Sequence, residues 1–322
     1  MKKFLLTSTA IAGMAFSGAA MADMSVGFGM DVGIAVIDDA GQTPTDRSVQ
    51  TQQDFEFEFK ASSELDNGMT IYADVEVDAN NGTGDAKNIK FDDVTVGVKG
   101  SFGDFRFGNF AADEMVVGNP VPYNGTNDGK LSVSTPDTVD GITGDDYTSI
   151  GYATPSIAGF KISASYFGGG ADDGDTQGAD VTNADDEQGG IGVKYSGDFG
   201  GASVSAGVSY VVDMGADQAQ TNAGAKVGMA GFSISAAMLQ VTGDDASELD
   251  RYAVGLGYAS GPWSIDTAYT KETADGEDDI KGYAAIAKYK VGPGLTAYTA
   301  IEANEQGSSE GTVGTLGLSF KF

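Results

Sequence analysis

Sixteen segments in which apolar and polar residues alternate predict an all-β fold, a 16-stranded antiparallel transmembrane β-barrel. The C-terminal segment shows the pattern most clearly, because Leu316, Leu318, Phe320 and Phe322 alternate with small or polar residues up to the last position. A period of two places one face of a strand in an apolar medium and the other face in water. Short and long connections also alternate along the chain, which is typical of barrels that cross a membrane.

The beginning of the chain has the form of a cleavable export signal. Lys2 and Lys3 supply a positive start, residues 4–16 are apolar, and residues 20–22 form a small-x-small cleavage site. The apolar run is too short to cross a bilayer as a helix. We therefore expect a signal peptide over residues 1–22 and a single barrel domain over residues 23–322.

The composition excludes several kinds of function. The 322-residue chain has no histidine and no cysteine, which removes imidazole bases, thiolate nucleophiles and ordinary zinc sites. We therefore expect no enzymatic activity and no cofactor. A formal charge of −29 argues against nucleic acid as a partner, because phosphate contacts need Lys and Arg. The 48 glycines and the repeated alternation distinguish the chain from a disordered acidic one.

The apolar positions give the strands in order. They span 24–36, 55–61, 69–77, 94–98, 105–107, 150–152, 160–166, 191–195, 204–212, 223–229, 232–238, 252–258, 263–269, 283–291, 295–301 and 316–322. Roughly ten residues, tilted near 40°, cover the apolar band of roughly 25 Å in such barrels. The longer segments fit that length.

The connections fall into two classes. The short turns centre on Asn67, Phe102, Ser156, Phe199, Gly231, Gly261 and Pro293. The longer, polar loops span 38–52, 80–88, 111–146, 168–188, 214–220, 243–248, 273–279 and 304–311. Short turns at one end and longer loops at the other are the arrangement of outer-membrane barrels, whose turns face the periplasm.

A soluble β-sandwich is the alternative fold. Sixteen strands with so many aromatics on one face would need two or more sandwiches, and no linker divides the chain. Closure into one barrel pairs every strand edge, as a membrane requires. Aromatic residues near the segment ends also fit the interfacial belts of a membrane protein; they are Tyr152, Tyr166, Tyr195, Tyr210, Tyr258, Trp263, Tyr269, Tyr283 and Tyr289.

Four motifs carry a family resemblance: Glu64–Thr70, Gly97–Gly103 with Arg106–Asn109, Ser149–Tyr152 followed by Pro155, and the terminal Phe322. On these motifs the chain resembles the general diffusion porins of the Gram-negative outer membrane, especially the acidic, Rhodobacter-like porins of alphaproteobacteria. The resemblance implies a homotrimer with a water-filled pore in each subunit, surrounded by outer-membrane lipids and lipopolysaccharide. It also implies that the barrel assembly machinery reads Phe320 and Phe322 as an assembly signal.

The resemblance further implies a constriction loop, the third outer loop folded into the pore. In this chain the loop is 111–146, the longest connection. Its apolar patch, Met115–Tyr123, would pack on the inner wall. The acidic edge of the constriction would consist of Asp113, Glu114, Asp128, Asp137, Asp140, Asp145 and Asp146.

Strand parity predicts the charged side chains of the pore wall. They are Glu56, Glu58, Lys60, Asp74, Glu76, Asp78, Lys99, Arg106 and Lys321. The four bases lie near short turns, so we expect acids to outnumber bases from the mouth of the pore to its waist. Tyr72 is the one clear inward aromatic, whereas a sugar-specific channel would line its lumen with aromatics.

The sequence therefore predicts a channel for passive diffusion of ions and small hydrophilic solutes, with a preference for cations. A substrate-specific channel and a structural or adhesive barrel are the alternatives. Weak calcium binding is the less favoured interpretation of Asp172, Asp173 and Asp175, which offer the oxygen ligands that calcium prefers, although no EF-hand frame fits them. A solvated acidic rim explains the same residues.

Overall fold

The computed structural model of the chain describes residues 23–39, 47–78, 90–110, 147–167, 188–213, 218–243 and 248–322. Their strands are β1 (Asp23–Asp39), β2 (Arg47–Glu64), β3 (Thr70–Asp78), β4 (Lys90–Gly100), β5 (Gly103–Phe110), β6 (Tyr147–Ala153), β7 (Phe160–Phe167), β8 (Gln188–Phe199), β9 (Ala202–Asp213), β10 (Gln218–Met229), β11 (Phe232–Gly243), β12 (Leu249–Ser260), β13 (Trp263–Ala274), β14 (Ile280–Gly292), β15 (Leu295–Gln306) and β16 (Ser309–Lys321). Within these ranges no helix is long and apolar enough to cross a membrane.

The sheet closes on itself. Each strand pairs antiparallel with its neighbours in sequence, and β1 pairs with β16, so the predicted 16-stranded antiparallel barrel is confirmed. At the end of this seam the backbones of Phe28 and Phe322 exchange two hydrogen bonds of 2.9 and 3.0 Å. Their rings stack with centroids 6.4 Å apart. The last residue of the chain is thus held against β1.

Alternate residues of a strand differ in exposure, which distinguishes the outer face of the barrel from the inner face. In β11 the side chains of Phe232 and Ile234 are 65% and 58% exposed, whereas those of Ser235 and Leu239 are 2% and 0% exposed. Around the barrel the exposed positions carry large apolar side chains, and the opposite face is richer in Gly, Ser and charged residues. An exposed apolar face of this extent fits the hydrocarbon of a bilayer.

Aromatic pairs lie on the outer face near the short-turn end. Their ring centroids are 4.5–4.8 Å apart in Phe160–Tyr195, Phe232–Tyr258 and Trp263–Tyr289. Each pair joins neighbouring strands at directly opposite positions. This is the geometry of an interfacial aromatic belt, and it adds cross-strand stabilisation at the boundary of the apolar band.

The short turns depend on residues that adopt positive φ. Gly68 has φ of 77°, and the preceding Asn67 accepts a 3.1 Å hydrogen bond from the backbone N–H of Met69 through its side-chain oxygen. Ala230 and Gly231, with φ of 53° and 85°, make the two-residue connection between β10 and β11. Two successive positive φ values match the twist of the flanking strands.

Several predicted loops are shorter than the sequence suggested. For example, β10 begins at Gln218, inside the predicted loop 214–220, and two further cases are clearer. Residues 304–311 form a hairpin in which Gln306 pairs with Ser309, and β2 begins at Arg47, inside the predicted loop 38–52. Both predictions are wrong because these strands extend beyond the apolar band. Their outer residues there are polar, as at Glu305 and Glu310, so no alternation marks the strand.

Candidate functional site on the inner wall of the barrel

Carboxylates cluster on the inner face of β1, β2 and β3. We call this group the acidic wall; its members are Asp31, Asp54, Glu56, Glu58, Asp74 and Glu76. The register places Asp31 opposite Asp54 and Glu58 opposite Glu76. Like charges at directly opposite positions repel each other, so this part of the wall has a strongly negative potential.

Two glycines on β1 lie beneath carboxylates of the acidic wall. Gly27 and Gly29 lie opposite Glu58 and Glu56. A Cβ added at Gly27 would be 3.4 Å from Oε2 of Glu58, and one added at Gly29 would be 3.6 Å from Oε2 of Glu56. The carboxylates therefore lie along the wall over these glycines.

Lys60 lies within the acidic wall. Its Nζ is 3.2 Å from Oδ2 of Asp74 and also forms an ion pair with Glu58. Lys60 therefore offsets part of the negative charge at the lower edge of the acidic wall, towards the short turns.

Tyr72 connects three strands on the inner face. Its hydroxyl donates a 2.7 Å hydrogen bond to Oδ1 of Asp104 on β5. Its ring covers Gly97 on the intervening β4 so closely that an added Cβ would overlap it. Nζ of Lys99 lies 5.3 Å from the ring centroid, within the range of a cation–π contact. The ring therefore holds one base of the wall in place.

Bases encircle the inner face at the short-turn end. We call this set the basic belt; it consists of Lys60, Lys99, Arg106, Lys161, Lys194, Lys226, Lys288 and Lys321. Each member lies in the half of its strand that ends at a short turn, or at the C-terminus for Lys321. The acidic wall lies mostly farther from that end, since Asp31 and Asp54 are near the middle of their strands. Charge is therefore separated along the barrel axis.

A small apolar patch interrupts the polar inner face on β13–β15. Tyr298 is only 8% exposed and packs with Ile286, Ala268 and Ala300. The prediction that Tyr72 is the one inward aromatic is therefore wrong. Tyr298 lies between Ala297 and Thr299, and neither neighbour is polar or bulky enough to show which face it belongs to.

A family model described as Gram-negative porin matches residues 7–309. The chain belongs to the Gram-negative porin family. An anion-selective porin from Comamonas acidovorans has a TM-score of 0.69 at 15% identity, over 94% of this chain and 100% of its own. A variant of the Rh. blastica porin has a TM-score of 0.68 at 16% identity, over 93% and 100%. No curated protein sequence matches the chain.

The family match and the closed barrel identify a porin of the Gram-negative outer membrane, as the sequence predicted. At these identities the solved structures share the fold with this porin. They give no information about the charged residues on its inner wall. In the outer membrane the short turns face the periplasm and the loops face outward. The acidic wall accordingly lies above the basic belt, which surrounds the periplasmic exit.

The sequence analysis missed half of the basic belt. Lys161, Lys194, Lys226 and Lys288 each lie between two outer-face residues, as Lys194 does between Val193 and Tyr195. The alternation that places Lys60 on the inner face places these four lysines there too.

Other predicted residues lie outside the part of the chain that the structure describes. They are the signal peptide 1–22, the loop residues Asp113, Glu114, Asp128, Asp137, Asp140, Asp145 and Asp146, and the acidic residues Asp172, Asp173 and Asp175. For Asp78 the structure describes the strand position, opposite Glu56, and not the side chain. Among the described residues no group of three or more acidic side chains could hold a metal ion.

Proposed function

We propose that this porin is a channel for passive diffusion of ions and small hydrophilic solutes, without enzymatic activity. The chemistry of the inner face supports the proposal, because Gly, Ser and charged residues favour water and small polar solutes. Among the side chains that the structure describes, the inner-face aromatics are Tyr72 on β3 and Tyr298 on β15. A track of aromatics for sugars would need a continuous series, so general diffusion is favoured over a sugar-specific channel.

We propose further that the channel favours cations at low salt. The whole chain carries 47 acids against 18 bases, and the acidic wall concentrates carboxylates on one side of the pore. Two unit charges about 8 Å apart interact by about 0.5 kcal/mol in water and about 2 kcal/mol at an effective dielectric of about 20. Several such charges favour cations by severalfold to about tenfold, since about 1.4 kcal/mol corresponds to one decade.

Two observations limit the size of this preference. The basic belt opposes the acidic wall at the exit, so the preference is smaller than the net charge alone suggests. The Comamonas relative of the same fold is anion-selective, so the fold does not decide the sign. The charges on the pore wall of each porin decide whether it favours cations or anions.

Reversal potentials in a KCl gradient test the proposal. The parent should favour potassium at about 0.1 M salt and lose the preference near 1 M, because the Debye length falls from about 10 Å to about 3 Å. The triple variant Asp31→Asn, Asp54→Asn, Glu56→Gln should reduce the preference. The control Glu305→Gln, Glu310→Gln removes charge from an outer-face pair and should leave it unchanged. An anion-selective parent would overturn the cation proposal, and a barrel that conducts no ions would overturn the channel.

We propose three finer features. The family match supports a homotrimer and a constriction formed by residues 111–146. The carboxylates of Asp172, Asp173 and Asp175 support weak calcium binding by the outer loops. We also propose contacts with lipopolysaccharide and with the barrel assembly machinery.

Deletion of Met115–Tyr123 tests the constriction. Single-channel conductance should rise or become noisy, and unchanged conductance would contradict the constriction. Cross-linking in mild detergent tests the trimer, and conductance with and without a calcium chelator tests the calcium site.

A further inference from the structure

Two lysines face each other on the inner wall, on the side of β7 and β8. Lys161 and Lys194 are directly opposite in the register, and both side chains are exposed. Like charges at directly opposite positions destabilise a sheet. Among the described residues no carboxylate forms a salt bridge with either lysine. A mobile anion would compensate the positive charge of this pair.

The adjoining wall is built of small residues. Gly207 lies opposite Lys194 on β9, and Ser205 lies between Ser196 on β8 and Lys226 on β10. A cavity of about 280 Å³ opens over this surface, lined by Ser196, Gly197, Asp198, Ser203, Val204, Ser205 and Lys226. It is large enough for a small hydrated solute.

The cavity offers donors that converge. Strands are about 4.8 Å apart and residues about 3.4 Å apart along a strand, so the register puts the Cα atoms of Lys194 and Lys226 roughly 12 Å apart. The long side chains of Lys194 and Lys226 can therefore approach one ion that lies between them. Among the described residues the hydroxyls of Ser196 and Ser205 have no hydrogen-bond partner in the protein, whereas the Ser203 hydroxyl donates to the carbonyl of Gly228 at 3.3 Å.

We propose that Lys161, Lys194, Ser196, Ser205 and Lys226 form a binding site for a small multivalent oxyanion of the phosphate class, at the periplasmic exit of the pore. We call this group the oxyanion site. Charge-assisted hydrogen bonds from ammonium groups, together with serine hydroxyls, are the donors that such an ion needs. The inference rests on the proposed diffusion channel, since the ion reaches the site through the pore.

Asp198 gives the site a distinguishing feature. Its side chain lines the same cavity at the turn end, where a carboxylate repels an anion. A site for a cation would depend on Asp198, whereas an oxyanion site is weakened by it. The variant Asp198→Asn therefore distinguishes an oxyanion site from a cation site, because it strengthens oxyanion binding and weakens cation binding.

The test is single-channel conductance in dilute KCl, with inorganic phosphate added on the periplasmic side at constant ionic strength. Phosphate should lower the conductance of the parent in a saturable way, and acetate should not. Lys194→Gln or Lys226→Gln should each raise the half-effective phosphate concentration about tenfold, as expected for loss of one charge-assisted contact. Asp198→Asn should lower it.

Lys288→Gln is the matched control, because it removes a charge of the basic belt on β14, away from the oxyanion site. It should keep the phosphate response of the parent. Two outcomes would overturn the oxyanion site alone. One is an equal loss of the phosphate response in Lys288→Gln and Lys194→Gln, and the other is no phosphate response in a parent that conducts KCl normally. A parent that conducts no KCl would instead overturn the proposed channel. Conductance in KCl alone confirms that each variant is folded.

Discussion

The hydroxyl of Tyr72 on β3 donates a 2.7 Å hydrogen bond to Asp104 on β5, across the full width of β4. The strand in between has Gly97 directly beneath the ring. A larger residue at that position would lift the ring off the wall and break the bond. The position of the Tyr72 ring on the pore wall therefore depends on residue 97 having no side chain.

We expect Gly97→Ala to destabilise the barrel by about 1–3 kcal/mol, the usual cost of overpacking. In a Tyr72→Ala background the same substitution should cost much less, because the overlapping ring is gone. Urea unfolding of the refolded barrel measures both. The control Gly314→Ala has no heavy atom within 4 Å of its added Cβ and should change stability by less than about 0.5 kcal/mol. An equal cost of Gly97→Ala in both backgrounds would contradict the arrangement.

We expect Phe322→Ala to lower the amount of assembled porin in the outer membrane. The substitution removes the ring that stacks on Phe28 at the seam, and with it the terminal aromatic. The control is Phe199→Ala, which removes a similarly exposed ring stacked on Tyr195 at 6.0 Å in a short turn. Immunoblots of outer-membrane fractions compare the two. If both variants assemble equally well, the C-terminal aromatic has no special role.

Charge separation along the axis should make the pore conduct asymmetrically at low salt. With the acidic wall above the basic belt, cations and anions meet different barriers from the two sides. The ratio of currents at equal and opposite voltages should depart from one at about 0.1 M KCl and approach it near 1 M, as screening increases. The triple variant Lys161→Gln, Lys194→Gln, Lys226→Gln should reduce the asymmetry. Symmetric currents in the parent at low salt would show that the separation has no electrical effect.

An exposed ion pair beside the outer face gives a pH-dependent test. Nζ of Lys271 lies 2.8 Å from Oδ2 of Asp279, and this hydrogen bond holds the pKa of Asp279 below its ordinary value. A lowered carboxyl pKa means that the pairing is present at neutral pH and is lost as the pH falls through that lowered pKa. Lys271→Gln should raise the pKa of Asp279, as measured by NMR titration of its carboxyl group. Lys281→Gln is the control, and a larger effect there would contradict the pairing.

The sequence predicted the barrel well because a membrane imposes a period of two wherever a strand crosses it. Phe232 and Ile234 had to be apolar, so their strand was easy to recognise. The same signal disappears outside the apolar band, which is why the paired residues Glu305 and Glu310 were assigned to a loop.

The inner wall was harder to predict, because its residues border both water and other side chains. Many residue types can therefore occur there, and no single pattern marks the face. Parity identified most of the acidic wall, where strong alternation in β2 separates Glu56 and Glu58 from their phenylalanine neighbours. It did not identify Asp31 and Asp54, which lie in stretches with weaker alternation. It gave no warning of Tyr298, whose neighbours are small. The contacts that define the oxyanion site depend on the register across β8–β10, and register is a property of pairing that one strand alone does not reveal.

Tyr298 also bears on how the chain closes. Gly33 and Gly317 are direct partners across the β1–β16 seam, and the ring reaches over both of them from β15. A slip of two residues along the seam would bring Asp31 or Ala35 to the place of Gly33, where an added Cβ is only 3.0 Å from the carbonyl oxygen of Leu316 and 3.3 Å from the Tyr298 hydroxyl. The Tyr298 ring therefore favours the observed alignment of the first and last strands over its neighbours.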